Sequence, residues 1–326
     1  MAYFAGVDLG ATHLRAVVAE ADGDAPENAD VARPDAIPIA GRARRSTPQG
    51  PTGEAVTAGV LDCLRNACAN AGIDPTDLSG VGIGSIGPLD ADAGDVVRPP
   101  NLAGDVDRVP LVGPIADLTG LPPGDRVVLH NDTIAAIVGE RELLEDTPDN
   151  AVYLTISSGI GAGVCVDGTV LSGWKGNAGE IGHVTVDSAG RLTCGCGKPG
   201  HWEAYCSGDN LPDFARLLHE EDPLDTALPL ADDDVAAPDD AFAARVVDRV
   251  ADLNALGVAT IVHAYAPEVV SIGGSVALEN ETLVIDAIRD RIDEYVITNV
   301  PEIRPTPLGE DVVVTGALAS AMLETR

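Results

Sequence analysis

Two histidines and two cysteines crowd into residues 180–203, EIGHVTVDSAGRLTCGCGKPGHWE: His183, Cys194, Cys196 and His201, bracketed by the carboxylates Glu180 and Glu203. Two imidazoles and two thiolates make the soft tetrahedral set that selects zinc, and four protein ligands leave no open position, so such a metal is structural. Gly195, Gly197 and Gly200 let so short a loop wrap an ion. The alternative is a buried glycine turn with a core histidine; a Cys194–Cys196 disulfide would demand strained geometry. Cys206 is a spare thiol beyond the glycines, where a helix is expected, and ranks fifth as a ligand. Cys63, Cys68 and Cys165 sit in apolar contexts and receive no chemistry.

Three other places offer reactive or phosphate-friendly groups. Asp8-Leu9-Gly10-Ala11-Thr12 lies at the turn of a strand pair. Alone it reads as a hairpin turn, but glycine access, backbone N–H groups, the Thr12 hydroxyl and a carboxylate able to hold the water shell of Mg2+ also suit a phosphate. Asn131-Asp132 ends a strand and opens a helix, which by itself is a cap. Gly273-Gly274 follows the strand EVVSI as a turn. Gly82 to Gly87 fit G-x-G-x-x-G, yet Pro88 and LDADAGD follow where a dinucleotide fingerprint needs a helix N-terminus, which argues against NAD.

The elements that must hold these groups alternate between strand and helix. A strand pair over 3–18, a strand near 37–43, and a helix from Thr52 with Val56, Val60, Leu61, Leu64 and Cys68 on one face precede the buried strand VGIGSIG. A second pair, AVYLTISSG and AGVCVDG, repeats the plan of the first, which predicts two related lobes with a cleft between them. Residues 220–240 read as an acidic loop. A long helix over 242–266, the strand EVVSIGG, a helix over 282–296, the strand DVVVTG and a short terminal helix complete the expectation.

With 52 acidic against 20 basic residues the net charge is −32, and Lys175 and Lys198 are the only lysines. Such a surface repels nucleic acid and anionic membranes and is expected in a salt-filled, halophilic cytoplasm, where ions screen its self-repulsion. No export signal and no apolar run of about 20 residues are visible, so no membrane partner is expected and the cytoplasm is the expected location.

The pair Glu180-x-Gly182-His183 and Cys194-x-Cys196-Gly197-x-x-Gly200-His201-x-Glu203 resembles the signature of the ROK family of sugar kinases and sugar-responsive repressors, with His201 in place of the family's third cysteine. The resemblance implies an α/β, two-lobed actin-like ATPase (ribonuclease H-like) fold with a zinc-stiffened loop. It implies an N-terminal lobe over 1–127, a C-terminal lobe over 128–313, and a final helix over about 314–326 packed back on the first.

It also assigns roles. Asp8, Gly10 and Thr12 with Thr155, Ser157, Ser158 and Gly159 resemble the two phosphate loops for ATP and Mg2+; many members carry Gly-Thr-Gly where this chain has Ser157-Ser158-Gly159. Gly273 and Gly274 resemble the adenosine turn. Asp132 becomes the general base, with Asn131, Gly87, Asn101, Glu180, His183 and Glu203 at the sugar; Ile86 replaces a proline before Gly87. The expected activity is ATP-dependent phosphorylation of a hexose, glucose first, with another hexose or an amino sugar as the alternative substrate. A non-catalytic sugar-sensing regulator is the other class; those repressors carry a winged-helix segment ahead of the Asp-Leu-Gly loop, and only seven residues precede Asp8 here. The family also suggests a homodimer or higher homo-oligomer.

Overall fold

A computed structural model describes residues 2–21, 38–100, 102, 104, 106–144, 147–221 and 241–323. The first half holds β1 (Ala2–Leu9), β2 (His13–Ala21), β3 (Ile39–Ser46), α1 (Gly53–Ala71), β4 (Leu78–Ser85), β5 (Leu89–Asp90), β6 (Asp95–Val97), β7 (Arg108–Pro110), α2 (Val112–Thr119), β8 (Val127–Asn131) and α3 (Asp132–Leu143). The second holds β9 (Ala151–Ile156), β10 (Ile160–Val166), β11 (Thr169–Val170), α4 (Glu203–Cys206), α5 (Leu211–Glu221), α6 (Ala241–Tyr265), β12 (Val269–Gly273), α7 (Ser275–Glu279), α8 (Ala287–Arg291), β13 (Glu302–Pro305) and α9 (Val312–Leu323).

One sheet has the order β3-β2-β1-β4-β8 and the other β11-β10-β9-β12-β13. In the first, β1 pairs antiparallel with β2, β2 antiparallel with β3, and β4 lies parallel to both β1 and β8. In the second, β10 and β11 are antiparallel, and β12 is parallel to both β9 and β13. The repeated order is the duplication that the two strand pairs foretell. A small third sheet, β5-β6-β7, follows β4.

Two compact units emerge: Met1–Asp149 with Gly163–Ala178 and Glu310–Arg326, and Asn150–Ala162 with Gly179–Gly309. The boundary differs from the expected 127. β8 is bonded to β4 from Val81↔Val127 to Ser85↔Asn131, and α3 packs against α9, so Asn131 and Asp132 belong with Asp8 in the first unit. Its core gathers β1, β2, β4 and the inner face of α1, where Val56, Val60, Cys63, Leu64 and Cys68 are buried. Thr52 caps α1 by accepting from Ala55 N at 3.3 Å, and Gly72 closes it in the left-handed region at φ 76°.

The expected strand DVVVTG is absent: these residues lead into α9 and form its first turns. β-branched residues favour strands as a rule, but α9 lies directly on β1 and β4 and packs beside α3 on the same face of the sheet, so it is apolar nearly all round. Gly82 permits that approach, since a Cβ there would collide with Ala317 O. The fifth strand of the second sheet is instead β13, EIRP. The helix expected over 282–296 is broken into a wide turn at Thr282–Asp286, α8 and a tight turn at Ile292–Glu294. The acidic stretch 222–240 and Asn101 lie outside the described residues. Among the described residues no helix is long and apolar enough to cross a membrane.

Candidate functional site

In the first unit the parallel strands end level: Leu9 with Ser85, and Ser85 with Asn131. Ligands of open α/β sheets sit beyond the carboxyl ends of strands, and here that edge carries the Asp8–Thr12 turn, Ile86-Gly87, and Asn131-Asp132. The turn after β1 is fixed by Gly10 N donating to His13 O (3.1 Å), Thr47 Oγ1 to Gly10 O (2.7 Å) and Gln49 Nε2 to Ala11 O (2.8 Å), while Thr12 is exposed.

Asp8 is buried, and burial pushes its carboxyl up to about 7. Arg15, whose Nη1 stands 3.7 Å from Asp8 Oδ2, pulls the other way, and Asp132 and Asp311 push it further up. Three carboxylates whose fields meet at a buried oxygen suit a hard, oxygen-seeking cation such as Mg2+. Sequence reasoning missed Arg15; its signal was a charge inside the otherwise apolar HLRAVVA, directly across from Asp8 in the strand register.

Asn131 performs the cap as well: its Oδ1 accepts from Thr133 N (3.1 Å) and Thr133 Oγ1 (2.9 Å). Asp132 Oδ1 accepts from the same Thr133 N at 2.7 Å, which orients a half-buried carboxylate at the first turn of α3.

In the second unit, Thr155, next to last in β9, is level with Gly273 of β12, and Ser157-Ser158-Gly159 turn into β10. Ser157 N donates to Gly159 O (2.9 Å), Gly208 N donates to Ser157 O (2.8 Å), and Ile160 N donates to Glu203 Oε2 (2.9 Å). Glu203 thus braces this turn with one oxygen while its other, Oε1, accepts from the Cys194 thiol at 3.4 Å.

The ligand atoms of His183, Cys194, Cys196 and His201 all lie within 4.8 Å of one another. Cys194 Sγ is 3.7 Å from His183 Nδ1 and Cys196 Sγ is 3.3 Å from His201 Nδ1. Tetrahedral zinc with ordinary Zn–S and Zn–N bonds separates its ligands by about 3.4–3.8 Å, so the donor set and its spacing fit the ion. His183 turns its other nitrogen, Nε2, to within 3.6 Å of Glu180 Oε2. Burial raises the Glu180 carboxyl, with His183 opposing and Glu203 adding to the rise. Burial also pushes the Cys194 thiol up to about 12, against a hydrogen bond from the Cys196 backbone. Cys206 is outside the cluster: its thiol is buried and donates to Val250 O at 3.8 Å.

The loop that carries the cluster is built by groups the sequence reading did not single out. Asp187 accepts from Ala189 N, Arg191 N, Arg191 Nε and the Tyr205 hydroxyl at 2.7–3.1 Å. Burial works against that carboxylate, and these donors overcome it and hold it well below the usual range. Tyr205 Oη in turn accepts from Leu192 N at 3.0 Å. Gly200, at φ 75°, passes so close that a Cβ would collide with Asp187 O. Trp202, between His201 and Glu203, is fully buried, lies against Gly257 of α6 and donates from Nε1 to Asn254 Oδ1 at 2.9 Å.

Fold, signature residues and the His/Cys cluster define one class of protein, and comparison with known proteins agrees. The sequence profile of the ROK family matches residues 4–322, and the chain belongs to that family. A glucokinase from Pyrobaculum calidifontis is 36% identical over 323 residues, 98% of this chain and 95% of that protein. The crystal structure of a ROK hexokinase from Thermus thermophilus superposes with a TM-score of 0.76 at 30% identity, covering 99% of this chain and 98% of that one. A ROK family glucokinase from Streptomyces griseus, solved with glucose and AMPPNP, gives a TM-score of 0.74 at 26% identity over 97% and 98% of the two chains. The actin-like α/β architecture of those enzymes is the architecture of this one.

Proposed function

We propose that this protein is an ATP-dependent glucokinase that transfers the γ-phosphoryl group to the 6-hydroxyl of glucose. The observation that carries the reading is the shared edge of the first sheet: β1, β4 and β8 end level, which sets Asp8 and Asn131-Asp132 at the same carboxyl edge, where a base and a phosphate-side carboxylate are needed. Similarity to glucokinases along nearly the whole chain supports glucose over other hexoses.

In this reading Asp132 accepts the proton of the 6-hydroxyl as that oxygen attacks the γ-phosphorus, and the bond to the β,γ-bridging oxygen breaks to release ADP. Asn131 orients the sugar, with Gly87, Asn101, Glu180, His183 and Glu203 as its hydrogen-bonding and close-approach partners. Carboxylates suit this task because they only accept, and sugar hydroxyls donate. Asp8, Gly10 and Thr12, with Thr155, Ser157, Ser158 and Gly159, receive the phosphates, and Gly273-Gly274 the adenosine. Magnesium, when bound with ATP, supplies neutralisation of phosphate charge near Asp8. Zinc, when bound by His183, Cys194, Cys196 and His201, fixes the His183 ring, so that sugar meets a pre-set imidazole.

The test is a coupled assay in molar salt, chosen because the chain carries a charge of −32, with glucose and a panel of hexoses and amino sugars. Glucose with ATP should give the highest kcat/KM. Asp132→Asn should cost at least about a hundredfold in kcat while glucose binding by calorimetry persists. Near-normal turnover in that variant would remove Asp132 from the chemistry.

A further inference from the structure

Glu203 opens α4, and α4 has only four residues, well short of the roughly 12 below which an isolated helix is marginal in water. Its direction comes from what it is fastened to. The Trp202 carbonyl accepts from Tyr205 N (3.0 Å) and Cys206 N (3.2 Å), which closes the turn, and Trp202 N donates to Val184 O at 2.9 Å, next to His183. The turn is then tied to α6 at both ends: the Trp202 indole donates to Asn254 Oδ1 at 2.9 Å, and the Cys206 thiol donates to Val250 O at 3.8 Å. Val250, Asn254 and Gly257 share one buried stripe of α6, spaced i, i+4 and i+7. Gly257 clears room for the ring, since a Cβ there would stand 2.4 Å from indole carbons.

Asn254 is buried, and its Nδ2 has no hydrogen-bond partner among the described residues. A buried donor left unmet destabilises the fold, and an apolar side chain of the same size carries no such cost. What the amide supplies instead is direction: a hydrogen bond fixes the angle of the indole, whereas apolar contact is non-directional. Trp202 is flanked by His201 and Glu203, so that angle passes to each through a single peptide unit.

We propose that Trp202 and Asn254 are positioning residues for sugar binding: their buried hydrogen bond sets the angle at which α4 stands on α6, and so where the Glu203 carboxylate is held. The proposal rests on the kinase reading above, in which Glu203 meets the sugar. Both side chains are buried and act through Glu203.

The experiment is calorimetric binding of glucose, in zinc-supplemented buffer, to the wild type, Asn254→Leu, Trp202→Phe and the double variant, with thermal unfolding of each. Each single change should weaken glucose about tenfold, and the double should lose little more, because both remove one bond. Stability should run differently. Trp202→Phe strands the Asn254 amide in the interior, so adding Asn254→Leu should raise the Tm of that variant by about 2 °C while its glucose Kd stays weak. Asn254→Leu keeps the ring and carries the test alone if Trp202→Phe does not fold; in the coupled assay it should raise KM for glucose with kcat within about twofold of wild type. A pair that merely packs the interior would show affinity returning with stability, and that result, or a wild-type glucose Kd in either single variant, would overturn the proposal. A wild type that binds neither glucose nor another hexose would instead strike down the kinase reading, and this inference with it.

Discussion

Replacing Asp8 with Asn should make the metal-free protein more stable while disabling its phosphate chemistry. The carboxyl titrates near 7 instead of at its ordinary 3.8, chiefly because it is buried. Each unit of displacement is about 1.4 kcal/mol, so the ionised side chain costs the folded state roughly 4 kcal/mol at pH 8. The sign follows from proton counting. Between about 3.8 and 7 the folded chain keeps a proton that the unfolded chain has released, so stability falls as pH rises through that window and levels off above it. Asn is neutral throughout and similar in size. Its advantage should therefore grow from about 2 kcal/mol at pH 5 to about 4 kcal/mol at pH 8. At about 2–4 °C per kcal/mol, that is a Tm gain of roughly 4–8 °C at the lower pH and 8–16 °C at the higher. Thermal unfolding of both proteins with a chelator at the two pH values measures it. A variant no more stable than wild type at pH 8, or a gap that does not change with pH, would refute the idea of a carboxylate held ionised against its surroundings.

Two further outcomes follow from the metal loop. Asp187→Asn turns an amide nitrogen toward donors that now meet a carboxylate, and should cost about 2–4 kcal/mol in thermal unfolding at neutral pH. Because its pKa is depressed, Asp187 stabilises above the unfolded carboxyl pKa and loses that effect as pH falls below about 4, so wild type and variant should converge in acid. Cys196→Ser should abolish the about one equivalent of zinc expected per chain by elemental analysis, whereas Cys206→Ser, at a thiol bonded to Val250 O, should retain it; equal zinc in both would break the four-ligand assignment.

The metal cluster was legible in the sequence because its ligands are close along the chain and their chemistry is unusual for packing: His183, Cys194, Cys196 and His201 do converge. Strand pairs were legible because hairpins are local. What escaped depends on contacts at long separation. Arg15 meets Asp8 only through the β1–β2 register and Glu310 only because α9 lies where it does. Trp202 meets Asn254 across fifty residues of chain, and nothing local marks either partner. The residues DVVVTG were misread for the same reason: their intrinsic preference is extended, and only packing against the sheet and the neighbouring α3 makes them α9. The boundary between units moved with β8, whose pairing to β4 no residue in β8 announces.

The two five-stranded sheets, with their matching order, bear on what the His/Cys loop does for the fold. In the earlier copy the chain passes from its third strand to its first helix through residues 47–52 alone; in the later copy the corresponding passage, 171–240, is where the cysteines and histidines reside. The first sheet reaches the same strand order without such a passage, so that order does not call for the loop. Loss of an ion from that loop is then expected to disturb residues 180–203 before it disturbs the strand order.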